Sequence, residues 1–420
     1  MAVGESSHGA SETPPSETPA SELSVCRREA SARRVRYRRI IDAAFGCLEA
    51  GEYDRVKVDE VARAAGVAKA TLYRYFPSKE FLYSIVLREW VDEHHLRAID
   101  ADGAERARIR AHSIIGDFEK APQFFRLTVA LFSSADPDVK AELSAVSTRN
   151  HRYFFDDLID STPMMRRDAA LILEAIVHSA VKSSVYHDVP FVEAYRLVDQ
   201  AIDLLTGTAP TPVERGGGEQ VAGSGSAARD VPGFKQRRRL SIVEHASDAL
   251  REKAYEEIHV TTVARDSDVA LGTLYRYFPS KESLYAEVLR HWISTSAFSS
   301  TLDHLAAEAR IAARFDAVFD SLDSDPEFFR VNVLLHSVGD RSVQAVLGEL
   351  AALARIAFAR DLAALGVPNS RDVAAMTWAL LDTLTTGVVY YGRGLAEARR
   401  VSNAFAELIF ADGSTSSTPE

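Results

Sequence analysis

Cysteine is almost missing from this 420-residue chain, which contains only Cys26 and Cys47. That excludes a disulfide framework and any multi-cysteine zinc site, and it fits a reducing cytosol. No run of 18 or more apolar residues occurs, so neither a membrane-spanning helix nor a membrane partner is expected. Residues 1–23 lack the apolar core and the early basic residue of a signal peptide, and the expected location is cytoplasmic. A nucleophile elbow, a phosphate loop, a dinucleotide fingerprint and a His-Glu-x-x-His motif are all missing. His94-His95, His151 and His178 follow no metal-ligand spacing, and neither cysteine sits in an activating motif. No enzyme, no metal site and no cofactor are therefore expected. Alternating strand patterns bounded by turn signals are absent too, which points to an all-α chain.

An overall basic charge is also lacking. The net charge is −11, which taken whole disfavours nucleic acid. Its distribution does not. Residues 27–80 carry 13 basic and 8 acidic side chains, 235–282 carry 9 and 8, and every other stretch is net negative. Salt screens charges beyond roughly 8–10 Å, so a polyanion would meet these local patches.

What is present is a chain that contains itself twice. Thr71-Leu72-Tyr73-Arg74-Tyr75-Phe76-Pro77-Ser78-Lys79-Glu80 recurs letter for letter as Thr273 to Glu282, an offset of 202. Downstream the offset becomes 204: Pro122-Gln123-Phe124-Phe125-Arg126 pairs with Pro326-Glu327-Phe328-Phe329-Arg330. A unit of about 200 residues is duplicated, too long for a solenoid repeat. Gly207 to Gly233 is rich in Gly, Ala, Ser and Pro and reads as a flexible linker. Within each copy the apolar periodicity is helical, as at Ile40, Ile41, Ala44, Phe45 and Leu48.

Chemistry concentrates in Val58 to Lys79. A short helix from about Asp59, its expected N-cap, to Ala65 is followed by Gly66, which permits a tight turn. A second short helix follows from about Ala68 to Tyr75, which makes a helix-turn-helix. Val61, Ala62, Val67, Leu72 and Phe76 can pack inward, leaving Lys69, Ala70, Thr71, Tyr73, Arg74 and Tyr75 on the outer and flanking faces. Small residues let the helix enter a major groove, Lys69 can reach a guanine edge, and the Thr71 methyl can meet a thymine methyl. Tyr73, Tyr75 and Lys79 suit phosphate oxygens. The arginines from Arg27 to Arg39 form a basic arm beside this motif.

Residues Val61-Ala62, Ala65-Gly66-Val67 and Thr71 to Glu80 with Leu82 resemble the N-terminal signature of TetR-type transcriptional regulators, and the second copy repeats it from Val263. The resemblance covers about 55 residues in each copy. It implies two tandem units, each a three-helix DNA-binding domain followed by a helical domain that binds a small effector and dimerises through its last two long helices. It also implies recognition helices at Ala68 to Tyr75 and Ala270 to Tyr277, with Gly272, Thr273, Tyr275, Arg276, Tyr277 and Lys281 as the second set of DNA contacts. By family habit a repressor is expected rather than an activator. Trp90, Phe118, Phe125 and Phe155, with Trp292, Phe319, Phe329 and Trp378, are the candidate pocket residues. A double-stranded DNA operator, a small-molecule effector and an intramolecular pseudo-dimer are the implied partners. The rival reading is a helical ligand-binding or protein-interaction module in which one or both motifs have lost DNA binding.

The copies differ where this matters. Gly66 corresponds to Asp268, Lys69-Ala70 to Leu271-Gly272, and Phe45 to Ser247. The expected division is 1–33 disordered and basic arm, 34–94 first DNA-binding domain, 95–206 first regulatory domain, and 207–234 linker. It continues with 235–296 second DNA-binding domain, 297–411 second regulatory domain, and 412–420 disordered tail.

Overall fold

The computed structural model describes residues 20–95, 98–158, 161–208, 233–296, 298 and 302–414, and these are helical throughout, with no strand among them. The first half supplies α1 (Ala20–Glu49), α2 (Val58–Ala64), α3 (Lys69–Tyr75), α4 (Lys79–His94), α5 (Gly103–Lys120), α6 (Pro122–Phe132), α7 (Pro137–Asp157), α8 (Arg166–Tyr186) and α9 (Phe191–Thr206). The second half repeats the order with α10 (Phe234–Glu252), α11 (Val260–Asp266), α12 (Leu271–Tyr277), α13 (Lys281–Thr295), α14 (Ala307–Ser324), α15 (Pro326–His336), α16 (Arg341–Ala364), α17 (Ser370–Tyr391) and α18 (Leu395–Ser414). Local chemistry sets many of the ends. Prolines begin α6, α7 and α15, where the missing N–H costs nothing. Asp136 and Asp340 cap α7 and α16 through their carboxylates. Left-handed Gly207 ends α9.

Several expectations need correction. The segment expected as a disordered arm is helical from Ala20, because Ser21 to Arg39 holds no glycine or proline and is rich in helix formers. The terminal tail was expected from 412, but α18 runs to Ser414, and only 415–420 lie outside the described residues. Residues 1–19 and most of the linker, 209–232, also lie outside them. Asp59 lies inside α2 rather than at its N-cap, a position that Lys57 holds, and Ala68 caps α3. By length and composition α8, α16 and α17 are long and apolar enough to cross a membrane, contrary to the expectation. More than half of the apolar window in α8 and in α17 is buried within the protein.

The chain divides into two compact units, 1–82 and 83–420. In the first unit Ile40, Ile41, Ala44, Leu48, Val61, Ala62, Leu72 and Phe76 form the core, and Tyr37 stacks on Phe76 with ring centroids 5.1 Å apart. In the second unit Ile242, Ala246, Leu250, Val263, Leu274 and Phe278 share one core with Phe328 and Val331 of α15 and Leu347 of α16. Here the second helix-turn-helix is fused to its own regulatory helices.

Two ion pairs show how faithfully the regulatory helices are duplicated. Arg110 Nε donates to Asp157 at 2.5 Å, and 204 residues later Arg314 Nε donates to Asp361 at 2.6 Å, all four side chains being buried. α8 and α9 pack against α17 and α18. Reciprocal contacts tie these helices together. Arg196 holds Asp372 with two bonds of 2.8 Å, and Arg400 holds Asp168 with bonds of 2.6 and 2.8 Å. Arg196 and Arg400, like Asp168 and Asp372, are equivalent under the 204 offset. The contact is thus self-complementary, as across a two-fold axis.

Candidate nucleic-acid interface and buried cavity

In the first unit the turn between α2 and α3 places Gly66 at φ +63°. Gly66 N–H donates to Arg63 and Val67 N–H to Ala62, which closes the end of α2. Leu72 and Phe76 are fully buried, and this anchors α3 by one face. The opposite face then has to be outward: Lys69, Ala70, Tyr73 and Arg74 are exposed, while Thr71 and Tyr75 are half-buried at its flanks. Lys69 Nζ meets Asp59 at 2.8 Å on the open surface, and this hydrogen bond raises the Lys69 pKa. It stays cationic and can exchange that carboxylate for another acceptor. Arg33 lies over the Tyr75 ring at 5.9 Å, so the helical arm borders the flank of α3.

Lys79 behaves differently from the expectation of a phosphate contact. Its ammonium donates to the Tyr53 carbonyl at 2.6 Å and sits 4.1 Å from the Tyr53 ring centroid. Burial lowers its pKa. Lys281 repeats the arrangement, with a 2.5 Å bond to the Tyr255 carbonyl and 4.0 Å to its ring. Both lysines hold the short turn before the motif, each donating to a carbonyl 26 residues upstream.

The second motif, within the other unit, has the same backbone with different chemistry. Asp268 takes φ +52°, a left-handed conformation that costs a non-glycine residue roughly 1–2 kcal/mol. Leu274 and Phe278 are buried, Gly272, Tyr275 and Arg276 are exposed, and Thr273 and Tyr277 are half-buried. Leu271 stands where α3 has Lys69 and is exposed. At the start of α12 the surface thus presents an apolar side chain where α3 presents a cation.

The second unit also contains a partly open cavity of about 120 Å³, lined by residues of both halves. Of the expected pocket residues Trp292, Phe329 and Trp378 line it. Phe319 does not, being fully buried in the core. Trp90, Phe118 and Phe125 do not either, since they stack into a filled cluster in which Trp90 lies 4.5 Å from Phe124 and 5.1 Å from Phe118. Phe155 is taken up by Arg166, 4.0 Å over its ring. Lys182, His187, His336, Arg355 and Asp382 line the cavity and escaped sequence reasoning. Lys182 lies on α8 with His187 at its C-terminal end, whereas His336, Arg355 and Asp382 come from α15, α16 and α17, so no local spacing unites them. Lys182 Nζ pairs with Asp382 at 2.9 Å. Burial pushes the His336 pKa down to about 3 and that of His178 next to this pair down to about 4.

Both motifs match the model of the N-terminal domain described as bacterial regulatory proteins of the tetR family, over residues 40–84 and 242–288. The chain carries two tetR-family domains in tandem. TetR-type proteins are regulators and not enzymes. One relative, the HTH-type transcriptional repressor KstR of Rhodococcus jostii (strain RHA1), is 31% identical over 137 residues, which is 32% of this chain and 65% of KstR. The chain thus spans just under two thirds of that relative. KstR of Mycolicibacterium smegmatis is 28% identical over 198 residues, 45% of this chain and 96% of KstR. A solved TetR transcriptional regulator from Rhodococcus sp. RHA1 is similar over 41% of this chain and 95% of its own, at 24% identity and a TM-score of 0.36. The two copies of the motif therefore share a family and a backbone, and they differ in the residues exposed on α3 and α12.

Proposed function

We propose that this protein is a sequence-specific DNA-binding transcriptional regulator, a ligand-responsive repressor that acts as a covalent pseudo-dimer on an imperfect palindromic operator. The reciprocal Arg196–Asp372 and Arg400–Asp168 pairs carry the pseudo-dimer reading: one chain supplies both sides of a two-fold contact. Repression is the role of the KstR relatives. In this reading Lys69, Thr71, Leu271 and Thr273 face base edges, with Lys69 on guanine and Leu271 on a thymine methyl. Tyr73, Arg74, Tyr75, Tyr275, Arg276 and Tyr277 meet phosphates. Lys79 and Lys281 act by holding their turns. Half-sites lie about one helical turn apart or a multiple of it, and they differ in sequence. The test is selection of bound duplexes from a random library, with light scattering of the complex. One chain per duplex and two unlike half-sites are expected. A perfect inverted repeat, or complexes that always hold two chains, would sink the reading, and the absence of any salt-dependent binding to duplexes would favour the module that has lost DNA binding.

A further inference from the structure

The two halves differ around their tryptophans. In the first half Trp90 is wrapped by Phe124 at 4.5 Å, His94 at 4.8 Å and Phe118 at 5.1 Å. In the second half Trp292 keeps its stack on Phe328 at 4.8 Å, but Ser296 and Leu322 stand where His94 and Phe118 stood. Two rings are lost, and the cavity lies against Trp292 and Ser296. A second exchange is electrical. His151 and Glu174 of the first half lie 3.6 Å apart, and their equivalents at the 204 offset are Arg355 and Trp378. An acid has become an aromatic wall and a histidine has become a fixed cation.

Arg355 is half-buried on the cavity wall, and no hydrogen bond or ion pair joins it to any described residue. Burial lowers its pKa, with no acidic group acting against that. Lys182 is neutralised by Asp382 at 2.9 Å, so the lining has one uncompensated positive charge among apolar walls. A desolvated charge of this kind favours an opposite charge strongly. The volume of about 120 Å³ compares with the ~150 Å³ apolar cavity that admits one benzene ring in another protein.

We propose that this cavity is a small-molecule site present once per chain, and that it takes an amphipathic monoanion about the size of one ring. The anionic head sits on Arg355, and the apolar body lies among Trp292, Phe329 and Trp378. Ser179, Lys182 and Leu197 of the first half complete the wall, so the ligand touches the contact between halves. The site deepens the ligand-responsive reading and depends on it only for the consequence at DNA.

The probes are benzoate, benzyl alcohol and benzylamine, which share a ring and differ in head charge. Calorimetry gives stoichiometry, and tryptophan fluorescence reports occupancy because two of the chain's three tryptophans line the cavity. Benzoate should bind once per chain, and roughly tenfold to hundredfold tighter than the alcohol, the range for a charge-assisted bond. Arg355→Gln should remove that preference by weakening benzoate far more than the alcohol, whereas Arg355→Lys should restore part of it. Unchanged circular dichroism establishes that the variants fold. Equal affinity for the three heads, two benzoates per chain, an unaffected Arg355→Gln variant or no binding at millimolar benzoate would each overturn the proposal. Benzoate binding as expected with no change in DNA affinity supports the site and retires the ligand-responsive reading instead.

Discussion

Lys182 and Asp382 join the two halves at a point where the two-fold correspondence breaks. Their equivalents at the 204 offset are Thr386 and His178, so the pair has no mirror image. The side chains are 15% and 14% exposed, and the N–O distance is 2.9 Å. Burial would raise the Asp382 carboxyl, but Lys182, His336 and His178 hold it below its ordinary value. Removing one member of a buried pair strands a charge in a poor solvent, at about 3–5 kcal/mol. The residual exposure places the expected loss at the lower end, about 3 kcal/mol for Asp382→Leu or Lys182→Met. Removing both avoids the stranded charge, and the double variant should lie within about 1 kcal/mol of the parent. For a unit as large as 83–420 each kcal/mol moves the melting temperature by roughly 1–2 °C, so each single variant should melt roughly 3–6 °C lower. Thermal melts of the full chain, read by circular dichroism, complete the double-mutant cycle. If Asp382→Leu melts within about 2 °C of the parent, or the double variant melts below both singles, the pair does not hold the halves together as argued.

The second helix-turn-helix should gain stability from two surface changes: Asp268→Gly relieves a positive φ, and Gly272→Ala has no atom within 4 Å to clash with. Each should add about 0.5–1 kcal/mol, measured by denaturant unfolding of the full chain. Lys69→Ala should relax base preference in one half-site, at roughly 1–3 kcal/mol of discrimination, while Tyr73→Ala should weaken all sequences alike. Binding-site selection separates the two, and the same altered preference in both half-sites would refute the assignment. Folded His178 and His336 titrate at about 4 and about 3, whereas unfolded histidine titrates near 6.5. Between about pH 6.5 and 4 the unfolded chain binds protons that these folded histidines refuse, so stability falls with pH by about 1.4 kcal/mol per unit for each. Melting temperature against pH should show this slope, and His178→Phe should reduce it.

The sequence by itself determined whatever depends on neighbours along the chain. Helices follow from spacing at three and four residues, and Leu72 with Phe76, one turn apart, settled which face of α3 is buried and so which is offered outward. Gly66 and Asp268 marked their turns because only positive φ closes them. Duplication was legible letter for letter. Tertiary structure alone decided the rest. Lys79 looked free for phosphate until folding brought the Tyr53 carbonyl, 26 residues upstream, to 2.6 Å. Phe319 and Phe329 are the same residue type ten positions apart, and only helix packing put one in the core and the other on the cavity wall. Arg196 finds Asp372 176 residues away, and Lys182 finds Asp382 200 residues away. Local periodicity carries no information at such separations, because which charge meets which is set by how whole helices pack.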